Sequence, residues 1–522
     1  MNKRIFISTI VILSTIAMLS YSDAYDNIIT HRKITEKTID YSTLRNYLKL
    51  NLGLPEGYEA KINNKRIIDW LSDGSYAEDK PACRAANHFH NPLLSWDQSY
   101  MSDDFYGDAL VIRTFCNSTG WPYTNRKSNV TWATGFLAPP PDGQKASFSQ
   151  NPLFSPYNWD KARQNYYNFL VSISPQSREL SFSKALSNLG HVLHLLQDVT
   201  VPAHTRNDFQ SQLFKMNNIY IDRYQPFEKY VESNSSLITN ANIDPIKDSP
   251  AFNNTRLTDF WDTDSYNGSN PSISNNIGLA EFSNANYLSN YTIPNNNPTP
   301  EHIFPYPYIR NSNISGSSYQ ICEDYEADST IKRKYISRKE KGICPQLTGE
   351  RKTDHFALVS VMNAASAITN DNISNLDLWI DDNVHKTYAK EILPRAVGYS
   401  AGILNYFFRG TIEISSPAQY VYSIIDGSIT PQQFTKIKAK VKNTTLNEAM
   451  TDGILQAVAK YKAIPNYDPT LANYPPDGSV MKNIAYSYSV STPITLMSEQ
   501  LGSMNMYPSI FVSFARAAVA GF

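Results

Sequence analysis

Hydrophobic positions along this chain change their period twice, and each change marks a boundary. From about residue 25 to 232 the apolar residues recur at helical spacing. The clearest stretch is Phe182 to Val199, where Leu186, Leu189, Leu193 and Leu196 fall on one face of a helix. From about 233 to 350 the texture turns to Asn, Ser, Pro and Tyr, as in Ser269-Asn270-Pro271-Ser272 and Asn295-Asn296-Asn297-Pro298. That composition predicts a long, loop-rich insertion. Helical patterning returns from about Asp354 to Phe408. Beyond Gly410 the period becomes two. Lys436, Lys438, Lys440 and Lys442 alternate with Ile437, Ala439 and Val441, and similar alternation places Leu455, Ala457, Ala459 and Tyr461, then Ile484, Tyr486, Tyr488 and Val490, on single faces of strands. The expected architecture is mainly α: a helical domain over 25–408 carrying the insertion, then a small β-sandwich over 411–522.

At the amino end, Lys3 and Arg4 precede an apolar run from Ile5 to Leu19, and small and polar residues follow to Ala24. This order predicts a secretory signal peptide over 1–24. The run falls short of the roughly 20 apolar residues that span a bilayer, which leaves a retained anchor as the lesser alternative. A secreted or periplasmic location is expected. Of 522 residues only 18% are charged, and the net charge of −1 gives no global basic field to attract nucleic acid. Four cysteines in an exported chain predict two disulfides, and pairing Cys83 with Cys116 and Cys322 with Cys344 keeps each loop local.

The densest chemistry lies in Gly190-His191-Val192-Leu193-His194-Leu195-Leu196-Gln197-Asp198 and on to Pro202 and His204. His194 and Asp198 are one helical turn apart, so an imidazole and a carboxylate project from one face and can meet one metal ion. Pro202 is expected to end the helix nearby and leave His204 on the exiting loop. His191 either shares that face or supports it from behind. Upstream, Glu78-Asp79 and His88 add a hard and a borderline ligand, although Glu78-Asp79 alone would read as a solvated acidic turn. His31 is a further isolated candidate.

Leu189-Gly190, His194, Asp198, Pro202 and His204 together resemble the central signature of the bacterial zinc-dependent phospholipase C and S1-P1 nuclease superfamily. Gly74 with Asp79, and Ala86-Asn87-His88-Phe89 with Pro92, resemble its two upstream ligand segments, and Tyr399 to Phe407 is similar to its closing helix. The resemblance covers about 25–232 and 354–408 and implies a helical zinc hydrolase with two to three Zn2+ ions. Asp79, His88, His194 and Asp198 would hold one ion, with Asp79 and Asp198 as the catalytic carboxylates. Asp198 would bridge to a second ion held by His31 and by the amine and carbonyl of Tyr25, the first residue after cleavage. His204 and Glu228 would hold a third. Tyr224 stands where the family has a histidine, and a neutral phenol is a poor zinc ligand. His90, Asp208, His302, His355 and His385 stay open as its substitute.

The resemblance further implies a metal-bridging hydroxide that attacks phosphorus, since zinc lowers the pKa of bound water to about 7. The substrate expected is a phospholipid or another phosphodiester, with contact to a membrane surface. A P1-type single-strand nuclease is the alternative, less favoured because no basic balance supports it. A degenerate, non-catalytic surface-binding protein is the third reading. The C-terminal strands are expected to form an accessory module, its lysines the solvated face of an edge strand.

Overall fold

The computed structural model describes residues 27–102, 126–136, 155–209, 226–251, 256–268, 275–293, 302–307, 309, 318–325, 330–341, 354–360, 377–415, 423–426, 433–445, 454–462, 486–495 and 509–513. Helices and small antiparallel sheets share the chain, so the architecture is mixed α and β where the pattern predicted mainly α. Two compact units divide it. The first comprises Met1–Tyr58, Ile68–Lys161 and Leu186–Asn405, and the second Glu59–Ile67, Ala162–Ala185 and Tyr406–Phe522. No helix among the described residues is long and apolar enough to cross a membrane. The expected signal segment lies outside them, and so do Cys116 and Cys344; no described cysteine is free.

In the first unit, a short π-helical turn (Asn27–His31) runs into α1 (Arg32–Tyr41) and α2 (Leu44–Leu50). Helices α3 (Ile67–Ala77), α4 (Asn129–Thr134), α5 (Trp159–Val171) and α6 (Pro175–Asp198) follow in the chain, with α5 from Ala162 and α6 up to Ala185 belonging to the second unit. The α6 helix begins before the predicted Phe182 and stops at Asp198. From Asn188 to Thr200 every residue is buried, which is the environment of a helix surrounded by others. Two glycines set how closely α3 approaches it. A Cβ on Gly74 would overlap the Ser187 carbonyl, and one on Gly190 would overlap the Leu71 carbonyl. Close backbone contact of this kind is open only to residues without a side chain.

Past α6, Pro202 does not merely end the helix. It opens a new helical turn, α7 (Pro202–Thr205), and His204 lies on that turn and not on the predicted loop. Then come α8 (Phe227–Ser233) and α9 (Ser236–Thr239).

The segment read as a loop-rich insertion holds regular structure. Helix α10 (Leu279–Asn286) is buried at all of its residues. Strands β3 (Tyr319–Tyr325) and β4 (Lys332–Arg338) pair antiparallel with Cys322 opposite Tyr335. They continue through β5 (Ala357–Val359) and β6 (Leu378–Trp379) into a four-stranded sheet. In the stretch predicted as helical from Asp354, Ala357–Val359 and Leu378–Trp379 are thus strands, and helix α11 runs over Asp382–Phe407. Asp381 caps it by accepting the Val384 amide at 2.9 Å.

In the second unit, short strands β1 (Lys61–Ile62) and β2 (Lys65–Arg66) pair with each other. The alternating segments are strands as predicted. They are β7 (Ile412–Ser415), β8 (Ser423–Asp426), β9 (Gln433–Asn443), β10 (Ile454–Leu455), β11 (Val458–Lys462), β12 (Tyr486–Val490), β13 (Ile494–Thr495) and β14 (Ser509–Ser513). Strand β9 is central to a four-stranded sheet, paired with β7, β8 and β14, so it is not the edge strand expected. Two further ladders, β10 with β13 and β11 with β12, complete the described strands.

Candidate metal centre

Five of the predicted residues come together inside the first unit. Helix α6 presents His194 and Asp198 one turn apart. Asp79 follows the end of α3, His88 follows the 3-10 turn Ala82–Asn87, and His31 closes the π-helical turn. All five are buried. Their ligand atoms form two overlapping groups, His31 with His194 and Asp198, and Asp79 with His88 and His194; within each group the atoms lie within 4.8 Å of one another.

Apart from one short His88–Asp198 contact, the separations are close to those of ligands around an ion. His31 Nε2 stands 3.3 Å from Asp198 Oδ1, and His194 Nε2 stands 3.2 Å from Asp198 Oδ2 and 3.5 Å from Asp79 Oδ1. His88 Nδ1 is 3.4 Å from Asp79 Oδ1 and 2.7 Å from Asp198 Oδ2. Four tetrahedral ligands at about 2.0–2.1 Å from one ion would stand about 3.3 Å apart. Both oxygens of Asp79 and of Asp198, His88 Nδ1 and His194 Nε2 are buried without an aligned hydrogen bond, while His88 Nε2 points instead toward Glu78 Oε1 at 3.8 Å. Buried polar atoms are ordinarily satisfied, so such a cluster of exceptions requires an explanation. The residues fit a metal ion, which these two groups could hold.

Outer contacts fix each ring. His194 Nδ1 donates to the Ser75 carbonyl of α3 at 2.7 Å, which leaves the Nε2 lone pair for the cluster. His31 Nδ1 donates to Gln197 Oε1 at 2.8 Å, and Gln197 Nε2 in turn donates to Thr35 Oγ1 at 3.1 Å, holding the amide in that orientation. The His31 and His194 rings stack with centroids 3.8 Å apart. Glu78, read from sequence as part of a solvated turn, is fully buried and accepts from Trp132 Nε1 at 2.8 Å, from His191 Nδ1 at 2.6 Å and from Arg84 Nη2. His191 therefore faces Glu78, belongs to neither ligand group, and takes the supporting role of its two readings.

The charges follow from this packing. Burial alone would raise Asp198, but the His194 and His88 imidazoles hold it well below the usual carboxylate range, and Asp79 is lowered for the same reason. Burial opposes a charge on His88, yet Asp198, Glu78 and Asp79 push it up to about 9. His194 is raised well above its ordinary value against burial by Asp198 and Asp79. His31 is lowered by burial and by the charge on His194. Glu78 stays ionised well below the usual range, since Arg84 and His191 outweigh its burial.

The remaining predicted ligands lie elsewhere. His204 donates from Nδ1 to the His88 carbonyl at 3.1 Å, and its Nε2 is 3.7 Å from Glu228 Oε1. That pair is buried, but it belongs to neither ligand group among the described residues. Tyr25 and Tyr224 lie outside the described residues. Among the residues left open as a substitute, His90 pairs with Asp262 at 2.8 Å, His302 with the Asn207 carbonyl at 3.0 Å, and His355 with Asp324 at 3.0 Å. Asp208 accepts the Tyr291 amide at 3.1 Å. His385 lines the same pocket as Glu228. Sequence reasoning missed Gln197, the Ser75 carbonyl and the part played by Glu78. A carbonyl has no sequence signature, whereas Gln197 stands directly before Asp198 and was open to notice.

No family model, curated protein or solved structure matches this chain.

Proposed function

We propose that this chain is an exported zinc-dependent phosphodiester hydrolase of phospholipase C type. The observation that supports it most is the convergence of His31, Asp79, His88, His194 and Asp198, all buried, into two overlapping groups whose ligand atoms lie within 4.8 Å of one another. Three nitrogens and two carboxylates suit zinc better than calcium or magnesium, which prefer all-oxygen shells. Zinc bound there would lower the pKa of a water to about 7 and neutralise charge on a phosphate.

The chain's own residues hold and orient that chemistry. Asp198 turns Oδ1 toward His31 and Oδ2 toward His88 and His194, so one carboxylate addresses two groups of nitrogens, as a bridging ligand must. Ser75 and Gln197 fix two of the rings before any substrate arrives, so no reorganisation is needed when charge develops. His204 and Glu228 would hold a further ion beside this pair of groups. The phosphate neighbourhood is thus built from ligands, and the net charge of −1 favours a lipid over a nucleic-acid backbone.

The decisive experiment counts zinc per chain by plasma mass spectrometry on mature protein purified without a histidine tag. It then compares release of phosphocholine from phosphatidylcholine with cleavage of single-stranded DNA. Two or three zincs and zinc-dependent phosphocholine release are expected. Cleavage of DNA alone would move the assignment to a P1-type nuclease. No metal after reconstitution would sink the hydrolase and leave a binding protein.

A further inference from the structure

We infer that Glu78 is a positioning residue whose buried carboxylate selects the ring nitrogen that His88 offers to the metal, so that His88 ligates through Nδ1 while His31 and His194 ligate through Nε2. The inference rests on the metal centre proposed above and concerns how its ligands are presented.

An imidazole that binds a metal through one nitrogen carries a proton on the other, and the acceptor facing that proton decides which nitrogen is which. For His31 and His194 the acceptors, Gln197 Oε1 and the Ser75 carbonyl, lie against Nδ1 at 2.8 and 2.7 Å. His88 is turned the other way. Its Nδ1 faces Asp198 and Asp79 at 2.7 and 3.4 Å, and its Nε2 faces Glu78 Oε1 at 3.8 Å. The same centre therefore contains both kinds of histidine presentation, and Glu78 is the carboxylate behind the exceptional one.

Glu78 is adjacent to Asp79 in sequence yet is kept out of the ligand groups. Three donors from three places hold it back: Trp132 on α4, His191 on α6, and Arg84 on the 3-10 turn that leads to His88. Arg84 Nε also donates to the Glu78 carbonyl at 2.8 Å, which ties the turn to the end of α3. A carboxylate can accept from all these donors and still present negative charge to the His88 ring. An amide cannot, because its –NH2 would confront at least one of the donors. Charge at this position, and not merely volume, is what the arrangement requires.

The test uses full-length mature protein labelled with 15N-histidine and loaded with zinc alone. Ring 15N spectra of the parent should show His88 metal-bound at Nδ1 and protonated at Nε2, and His31 and His194 the reverse. Glu78→Gln should raise the zinc dissociation constant about 10–100-fold, the range for loss of an outer partner of a ligating histidine, and should mix or reverse the His88 nitrogens. Trp132→Phe and Glu78→Asp keep the carboxylate and should keep the Nδ1 signature. His88 bound through Nε2 in the parent overturns the inference while leaving the metal centre intact. Retention of both affinity and signature in Glu78→Gln overturns it equally. If Glu78→Gln does not fold, the parent spectrum together with Glu78→Asp decides. Failure of the parent to take up zinc overturns this inference and the metal centre together.

Discussion

Asp79 and Asp198 carry two negative charges into a site from which water is excluded, and His88 and His194 answer them with two positive ones. In the metal-free protein two protons thus do the work of one dication. Zinc bound there would displace them, so binding at pH 7 should release protons, and apparent affinity should climb with pH up to about 9, the value to which His88 is raised. Stability of the metal-free protein should move the opposite way. His88 is raised from about 6.5 in the unfolded chain to about 9, so its stabilisation is complete below pH 6.5 and is lost as pH rises through 9. At about 1.36 kcal/mol per unit the loss is on the order of 3 kcal/mol. Asp198, which is depressed, contributes above the ordinary carboxylate value and loses its contribution as pH falls below it. Urea unfolding at pH 6.5 and 9.5, with chelator and with zinc, checks this. A metal-free stability that is flat or rising across that window would count against the charge assignment.

Single substitutions should separate ligand from support. His194→Ala is expected to empty the centre, since its Nε2 serves both ligand groups. Asp198→Asn removes the carboxylate facing three imidazoles and leaves buried cations unpaired, which costs about 3–5 kcal/mol in stability besides the metal. Zinc content and unfolding of each variant are the readouts, and unchanged zinc in either would remove that residue from the site. At this scale the sequence was most legible where ligands sit on one helix. The spacing of His194 and Asp198 reads directly, whereas Asp79, His88 and His31 were candidates by residue type alone, with nothing in the spacing to join them to that helix. Glu78 read as solvated because the donors that bury its charge, Trp132 and His191, come from 54 and 113 residues away.

Among elements, the approach of α3 to α6 decides the site's dimensions. Gly74 and Gly190 put the two backbones in contact, which brings the Ser75 carbonyl onto His194 and Asp79 to the same end. Gly190→Ala should force the helices apart, destabilising the protein by about 1–3 kcal/mol as overpacking does, and weaken zinc binding by moving Asp79 away from His194. Equal zinc affinity in the variant would show that the helix approach does not tune the site. The helices of 25–232 were legible because their apolar spacing is regular. Helix α10 was not, because its sequence Leu279-Ala280-Glu281-Phe282-Ser283-Asn284-Ala285-Asn286 looks like surface. Its Glu281 is tolerated inside because it accepts the amides of Thr263, Ser265, Tyr266 and Gly278 at 2.6–2.9 Å. Composition records polarity but not whether a partner waits for it. The four-stranded sheet β3–β6 was hidden likewise, since β5 and β6 are too short for alternation to register.

For the molecule as a whole, every ligand described lies in the first unit, and none in the second. Zinc should therefore stabilise the first unit alone, by about 2.7 kcal/mol at a hundredfold excess over its dissociation constant. Hydrogen exchange with zinc and with chelator should slow in 67–91 and 186–205 and stay unchanged in 433–443. Equal protection in β9 would show that the ion reports on more than its own unit. Strands β7–β14 lie beyond residue 410, but β1–β6 lie before it, and the second unit also takes in 59–67 and 162–185, which no change of hydrophobic period announces.

The two protons on the histidines have one further consequence, for the order in which the protein is made. A cage of bare carboxylates could not close until a cation arrived, and the chain would have to meet its metal while still unfolded. With His88 and His194 both raised, two positive charges would match the two carboxylates without a metal, and folding would not have to wait for one. A metal would then enter a finished protein by exchange with protons. If zinc is the ion, loading would then be set by zinc supply and by pH and not by the moment of folding.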